Sequence, residues 1–141
     1  MSETLGLQPF KPYKPAKNEV YMNEKQLEHF ESILNNWKYS LMEEVDRTVN
    51  HMKDEAANFP DLSDRATQEE EFNLALRARD RERKLIHKIN QTLETIQSQD
   101  YGFCDSCGVE IGIRRLEARP TATQCIDCKT LAEIKEKQLF N

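Results

Sequence analysis

The stretch EKQLEHFESILNNWKYSLMEEV, residues 24 to 45, decides the fold because its apolar side chains recur at steps of three and four residues. With its continuation, the stripe comprises Leu27, Phe30, Leu34, Trp37, Leu41, Val45, Thr48 and Met52. Asn23, followed three residues later by Gln26, is typical of a helix N-terminus. Pro60 disfavours helical backbone at the residue before it. We therefore expect one amphipathic helix that begins near Glu24 and ends just before Pro60.

A second stripe follows and predicts a second helix of similar length. Its members are Phe72, Ala75, Arg79, Glu82, Ile86, Ile89, Leu93 and Ile96. The apolar half, residues 86 to 96, matches the apolar start of the first helix, residues 27 to 41, as in an antiparallel hairpin. At 1.5 Å per residue, arms of about 34 residues would reach on the order of 50 Å. An ordinary helical bundle is the alternative, but the sequence contains no third long helix.

The segment between the two helices is acidic. The stretch NFPDLSDRATQEEEF, residues 58 to 72, carries five acidic residues and little that would form a core. Asp61 and Asp64 are suited to cap the second helix and to favour its positive end. Capping does not require a long helical support, so we also expect these carboxylates to contact a partner.

The overall composition favours a protein partner over nucleic acid. The chain has 141 residues, of which 38% are hydrophobic and 32% charged, and its formal net charge is -5. Duplex-binding proteins usually present a net basic face, so direct DNA binding is not expected. There is no apolar run of the roughly 18 residues that a membrane helix needs, nor a signal peptide. We therefore expect a cytoplasmic location and no membrane association.

The cysteines predict a zinc site. The stretch CDSCGVEIGIRRLEARPTATQCIDC, residues 104 to 128, has two CxxC pairs separated by seventeen residues. Two short knuckles with two thiolates each are typical of tetrahedral zinc, which is favoured over disulfides in a reducing compartment. The candidate ligands are Cys104, Cys107, Cys125 and Cys128. Four thiolates close the coordination shell, so we expect one structural Zn²⁺ and no metal-based catalysis.

These elements together predict a mainly α protein, with a long antiparallel coiled-coil hairpin on a globular base that contains a four-cysteine zinc finger and a C-terminal helix. Prolines predict that residues 1–23 form an extended arm packing on the base. The hairpin is expected at 24–99 with its tip near 60–66. The zinc-finger module is expected at 100–128 and the C-terminal helix at 129–141.

Several cations near the base suggest an anion site. Arg115, Arg119 and Lys129 would join Lys88 from the second helix, and arginine and lysine pair well with phosphate oxygens. A small polyphosphate is one interpretation. Ordinary solvated surface charges are the other, and spacing alone leaves both open.

The sequence closely resembles the DksA/TraR family of bacterial RNA polymerase regulators from about Tyr21 onward. The resemblance is carried by DRTVNHMKDEAANFPDLSDRA, RDRERKLIHKI and CDSCGVEIGIRRLEARPTATQCIDCKTLAEI. It implies a non-enzymatic, monomeric factor whose coiled coil enters the secondary channel of RNA polymerase without touching DNA. Such a factor alters promoter open-complex stability and acts with guanosine tetraphosphate in the stringent response.

The resemblance also assigns residues. The family's tip residues fall on Asp61, Asp64 and Ala66, and a polymerase contact falls on Arg81. The guanosine tetraphosphate site that the family forms jointly with the polymerase falls on Lys88, Arg119 and Lys129, with Lys84, Leu85 and Arg115 in supporting positions.

Two other functions remain open. Gre-like transcript cleavage factors also insert a coiled coil with acidic residues, which help to hold a second metal ion for hydrolysis. Those factors carry no four-cysteine zinc site. A zinc-dependent nucleic-acid-binding protein is the other alternative, and it would bind promoter DNA without polymerase in a salt-sensitive manner.

Overall fold

The computed structural model describes residues 4–57 and 62–140, and the chain is mainly α-helical, as predicted. The helices are α1 (Glu24–Ala57), α2 (Leu62–Gln97), α3 (Ile113–Ala118) and α4 (Ile126–Phe140). The only β pairing in the described residues is an isolated antiparallel bridge between Phe103 and Glu110. No described helix is long and apolar enough to cross a membrane.

The chain divides into two compact units, and both long helices contribute to each of them. The first comprises the described residues of Met1–Gln8 and Asn35–Asn90. The second comprises the described residues of Pro9–Leu34 and Gln91–Asn141.

The predicted start of α1 is confirmed by its capping contacts. The Asn23 Oδ1 accepts a hydrogen bond of 2.9 Å from the Gln26 backbone N–H, which satisfies one orphan donor of the first turn. Gln26 Oε1 accepts the Met22 N–H at 2.7 Å, one residue earlier than in a standard capping box. The Gln26 amide donates to Glu19 at 2.7 Å, and this bond is the main reason that the pKa of Glu19 is lowered.

In the first unit, α1 and α2 run antiparallel. His51 and Met52 of α1 line a small cavity with Phe72 and Ala75 of α2. The buried apolar side chains of this unit, from both helices, are Trp37, Leu41, Val45, Leu85 and Ile89. Each fully buried aliphatic side chain contributes about 1.5–3 kcal/mol.

The set of residues predicted to form the packing face of α2 was partly wrong. Leu85 is only 8% exposed although the stripe omitted it, whereas Phe72 is 39% exposed. Leu85 lies one position before Ile86, which is half-buried. The packing stripe therefore drifts around α2 more than a fixed pattern of threes and fours allows.

The first residues of the described chain pack on α1 within the first unit. The Trp37 indole N–H donates to the Leu5 carbonyl at 2.7 Å, and the Gln8 amide donates to Ser40 Oγ at 2.9 Å. Gly6 has a φ of 76°, and a Cβ built there would lie 3.2 Å from Leu41 Cδ2. This close approach and the backbone angle both favour glycine.

A carboxyl group is buried in the polar part of the first unit. Glu82 is 7% exposed, and among the described residues its Oε2 has no hydrogen-bond partner. Burial, and then the nearby carboxylate of Glu44, raise the pKa of Glu82, while Arg81 and Arg47 act in the opposite direction. The charged form of Glu82 is therefore destabilised in the folded chain.

This burial predicts that folding stability depends on pH through Glu82. Because the folded pKa lies above the ordinary value of 4.5, the folded chain holds the proton more tightly than the unfolded chain. Stability should therefore fall as the pH rises from about 4.5 through the folded pKa. Glu82→Gln should flatten that fall and raise stability at pH 7, because the amide cannot ionise and no charge is then buried.

Urea unfolding of both proteins at a series of pH values measures this effect. Glu70→Gln, at an exposed position of the same helix, is the matched control and should retain the wild-type profile. Parallel pH profiles for wild type and Glu82→Gln would contradict the prediction.

The second unit has an aromatic core. The Phe30 and Tyr101 ring centroids lie 5.5 Å apart, and the Tyr101 hydroxyl donates to the Pro120 carbonyl at 2.8 Å. Burial raises the pKa of Tyr101 well above its ordinary value. The Tyr21 hydroxyl donates to the Gly102 carbonyl at 2.8 Å and accepts the Gly112 N–H at 2.9 Å. These bonds connect the segment before α1 to the segment after α2.

The C-terminal helix begins earlier than expected and buries little apolar surface. It starts at Ile126, three residues before the predicted position 129. Its apolar side chains are largely exposed, with Leu131 at 52%, Ile134 at 47% and Leu139 at 81%.

Candidate functional site

The first cysteine knuckle is a tight turn held by its own backbone. The Cys104 N–H donates to the Val109 carbonyl at 2.8 Å, and the Gly108 N–H donates to the Cys104 carbonyl at 2.9 Å. Gly108 has a φ of 78°, a backbone angle that favours glycine. The turn brings the sulfurs of Cys104 and Cys107 to the same side.

The second knuckle is the start of a helix. Cys125 immediately precedes α4 and Cys128 lies in its first turn. The Cys128 N–H donates to Cys125 Sγ at 3.4 Å, and the Lys129 N–H donates to the Cys125 carbonyl at 3.0 Å. A backbone bond of 2.9 Å from Asp105 N–H to the Thr123 carbonyl ties the two knuckles together.

The four sulfur atoms form a set that fits one tetrahedral zinc ion. They all lie within 4.8 Å of one another, and Cys107 Sγ is 3.7 Å from Cys125 Sγ. Zn–S bonds of about 2.3 Å in a tetrahedron require sulfur atoms about 3.8 Å apart. Cys104 and Cys125 are buried, which shields the centre from water. No protein ligand is missing, so the site is structural.

The electrostatics of the sulfurs also suit a cation. Backbone N–H donation from Cys125, with lesser contributions from Cys107 and Ser106, lowers the pKa of Cys104 to about 6. Hydrogen bonds to the other three sulfurs, Cys125 first, raise the pKa of Cys128. The thiolate form is thus favoured at Cys104, and metal binding would release the protons of the other thiols.

The cations predicted for an anion site belong to both units. In the second unit, Arg115 lies in α3 and donates from Nε to the Gln124 carbonyl at 3.1 Å. Arg119 is the C-cap of α3, and Lys129 lies 3.9 Å from Glu133. All three side chains are half-buried. Lys129 directly follows Cys128, and Gln124, which accepts the Arg115 bond, directly precedes Cys125.

The α2 residues of this set lie in the first unit. Lys84 and Lys88 are exposed and share one helix face with the exposed Arg81, since they follow it by three and seven residues. Leu85 differs from them because it is a core side chain. Any role of Leu85 in an anion site would therefore be to position its neighbours.

The predicted tip residues are described only in part. Asp61 lies outside the described residues, and so does its proposed capping of α2. Asp64 lies in the first turn of α2, and Ala66 is exposed in the same helix.

A buried carboxylate that sequence reasoning missed organises the second unit. Glu117 is 8% exposed, and its Oε2 accepts the Tyr13 N–H at 2.8 Å and the His29 Nε2–H at 2.9 Å. Its Oε1 accepts a bond of 3.0 Å from Arg114. These partners lie up to 104 residues away in sequence, so no local sequence pattern indicates that Glu117 is buried. Glu117 connects the N-terminal segment, α1 and α3.

Two family models cover most of the chain. The model of the DnaK suppressor protein DksA, N-terminal domain, matches residues 26–96. The prokaryotic dksA/traR C4-type zinc finger matches residues 99–133, which contain all four cysteines. The second match and the geometry of the sulfurs identify the centre as a C4 zinc finger with one structural zinc ion.

Known proteins are similar over nearly the same length. The RNA polymerase-binding transcription factors DksA of Salmonella typhimurium and Escherichia coli K12 are each 65% identical to this chain over 135 residues, which is 96% of it and 89% of each relative. The solved structure of transcription factor DksA2 from Pseudomonas aeruginosa matches with a TM-score of 0.80 and 36% identity, covering 83% of this chain and 90% of that one.

A helical protein with a C4 zinc finger is thus the class that fold and site define. Within that class, this chain belongs to the DksA/TraR family.

Proposed function

We propose that this protein is an RNA polymerase-binding transcription regulator. The observation that carries the proposal is its 65% identity, over 96% of the chain, to factors that bear this name. It acts in the cytoplasm as a monomer, binds no DNA directly and catalyses no reaction. Its proposed domains are the arm at 1–23, the hairpin at 24–99, the zinc module at 100–128 and the C-terminal helix at 129–141, and the zinc module includes the first residues of α4, which begins at Ile126.

The paired helices α1 and α2 enter the secondary channel of the polymerase and carry Asp61, Asp64 and Ala66 towards the catalytic centre. Arg81 holds the polymerase at the channel rim. An exposed cation at this position of α2 supports that role. The tip carboxylates change the local charge near the catalytic magnesium or contact mobile polymerase segments.

Regulation follows from differential binding. A factor shifts the promoter open complex only as far as it binds one polymerase state more tightly than another. A difference of 1.4 kcal/mol between states changes their ratio about tenfold. Promoters with short-lived open complexes therefore respond most strongly.

Guanosine tetraphosphate strengthens this effect at a site shared with the polymerase. Lys88, Arg119 and Lys129 pair with its phosphates, while Lys84, Leu85 and Arg115 support them. The zinc finger matters here because Cys125 and Cys128 fix the first turn of α4, which carries Lys129. The half-buried state of Lys129 and Arg119 limits the side-chain entropy that phosphate binding would cost.

Lys129→Ala should remove the guanosine tetraphosphate effect while retaining basal regulation. Losing one charge-assisted phosphate contact, worth about 1.5–3 kcal/mol, should weaken the nucleotide effect by at least tenfold. Titration of the nucleotide in a single-round transcription assay on a promoter with a short-lived open complex measures this. Lys135→Ala, exposed on the same helix, is the matched control. A full nucleotide response of Lys129→Ala would exclude the proposed site.

A further inference from the structure

The segment before α1 is a strict repeat of three residues. Residues 9–17 read PFK PYK PAK, so proline, a variable residue and lysine each recur every third position. Proline fixes its own φ near −65° and pushes the residue before it into extended backbone. The described backbone from 9 to 16 is neither helix, strand nor turn. These restrictions favour a polyproline II conformation, in which three residues make one turn.

A period of three places each residue type on its own face. The face of the variable residues is anchored to the second unit. The Phe10 ring centroid lies 5.9 Å from that of His29, and the Tyr13 ring lies 5.3 Å from it. The Tyr13 backbone N–H donates to the buried carboxylate of Glu117 at 2.8 Å. The segment is therefore held in place by one face and by its backbone.

The two other faces are free of such contacts and open to solvent. The exposed residues are Pro9, Pro12 and Pro15 on one face, and Lys11, Lys14 and Lys17 on the other. At 3.1 Å per residue, successive members of a face lie about 9 Å apart. We call these six residues the proline-lysine ridge. It is a cationic and apolar strip on a chain whose net charge is -5.

We propose that the proline-lysine ridge docks into a groove on RNA polymerase that is lined by aromatic side chains and flanked by carboxylates. This proposal rests on the proposed function and adds a contact away from the hairpin tip. Aromatic grooves recognise polyproline II segments through their proline faces, and flanking carboxylates would pair with the lysines in register. Because the segment is already ordered by Tyr13 and Phe10, docking costs little conformational entropy.

The apolar proline face beside the cationic lysine face favours a protein partner over a nucleic-acid partner. A phosphate backbone would engage the lysines but leave the proline face without an apolar partner. The negative charge of the chain also opposes binding to a polyanion. A protein groove uses both faces at once.

The test compares polymerase binding by the full chain and its variants at about 50 and about 200 mM NaCl, a range over which exposed charge pairs are progressively screened. The variant Lys11→Gln/Lys14→Gln/Lys17→Gln should bind roughly fivefold to tenfold more weakly at the lower salt and should show a shallower salt dependence. The control Lys25→Gln/Lys135→Gln/Lys137→Gln removes the same charge at exposed positions elsewhere and should bind as wild type. The variant Pro9→Ala/Pro12→Ala/Pro15→Ala retains every charge and should still lose about threefold in affinity, because the ridge is no longer preorganised.

The outcomes separate the two proposals. If wild type binds polymerase and the lysine variant binds equally well with the same salt dependence, the ridge proposal is overturned while the proposed function stands. If wild type does not bind polymerase, both fail. A single-stranded DNA oligonucleotide serves as a second probe. Lysine-dependent binding to it without polymerase would show that the ridge binds nucleic acid and would overturn the proposed protein groove.

Discussion

Cys104→Ser should abolish stable zinc binding and disorganise the second unit. Cys104 is buried, and its sulfur belongs to a closed set of four within 4.8 Å. Replacing a ligand should weaken zinc binding by more than the roughly hundredfold that substitutions outside the ligand set cost. Because metal binding and folding are coupled, the segments that the two knuckles hold together should lose their fixed packing.

Two measurements check this expectation. Zinc content after dialysis against a chelator should fall from one ion per chain to none, and the near-ultraviolet circular dichroism of the buried Tyr101 should decrease. Ser106→Ala changes an exposed residue between the first two cysteines and should retain the metal. An unchanged melting curve for metal-free Cys104→Ser would show that zinc does not support the fold.

Asp61→Asn with Asp64→Asn should leave polymerase binding intact and reduce promoter regulation by at least tenfold. The substitution preserves side-chain size and removes two negative charges. A tenfold effect corresponds to about 1.4 kcal/mol of lost preference between polymerase states. Affinity should change little, because the ridge, Arg81 and the paired helices remain.

Open-complex lifetimes on a promoter with a short-lived open complex, measured together with equilibrium binding, separate regulation from affinity. Glu69→Gln with Glu70→Gln removes two exposed charges further along α2 and is the matched control. Wild-type regulation by the aspartate variant would exclude the tip's role. A companion assay on backtracked complexes should give no RNA cleavage, whereas strong cleavage that depends on Asp61 would identify a Gre-like factor.

The sequence predicts the helices well because their signals are local. Asn23 and Gln26 define the start of α1, and the described helix extends to Ala57, consistent with the expected end before Pro60. The heptad-like spacing identified Trp37 and Leu41 as core residues, and both are buried. The spacing of the cysteines likewise predicted the metal centre, since two knuckles need only short-range geometry to form.

The remaining features depend on contacts that are distant in sequence. Glu117 looks like one of many exposed acidic residues, and only the approach of Tyr13 and His29 explains its burial. The short helix α3 has six residues and lacks a side-chain cap, so it carries no start signal. Leu85 was omitted from the predicted stripe, yet drift of the packing stripe makes it part of the core.

Some functional residues likewise follow from local sequence spacing, whereas others depend on a partner. The zinc ligands follow from spacing and are brought together in the structure. The nucleotide site and the tip act together with surfaces of RNA polymerase. Neither the sequence pattern nor the folded chain alone contains those polymerase surfaces. They remain predictions that the Lys129 and aspartate variants test.

Site-specific photo-crosslinking from position 69, exposed on α2 near its start, tests the central claim most directly. With a photoreactive amino acid at that position and RNA polymerase as the partner, mass spectrometry maps the attached polymerase peptides. Secondary-channel entry requires that the crosslinks lie inside the channel, close to the catalytic centre. Crosslinks confined to the outer surface of the polymerase, with binding intact, would contradict it.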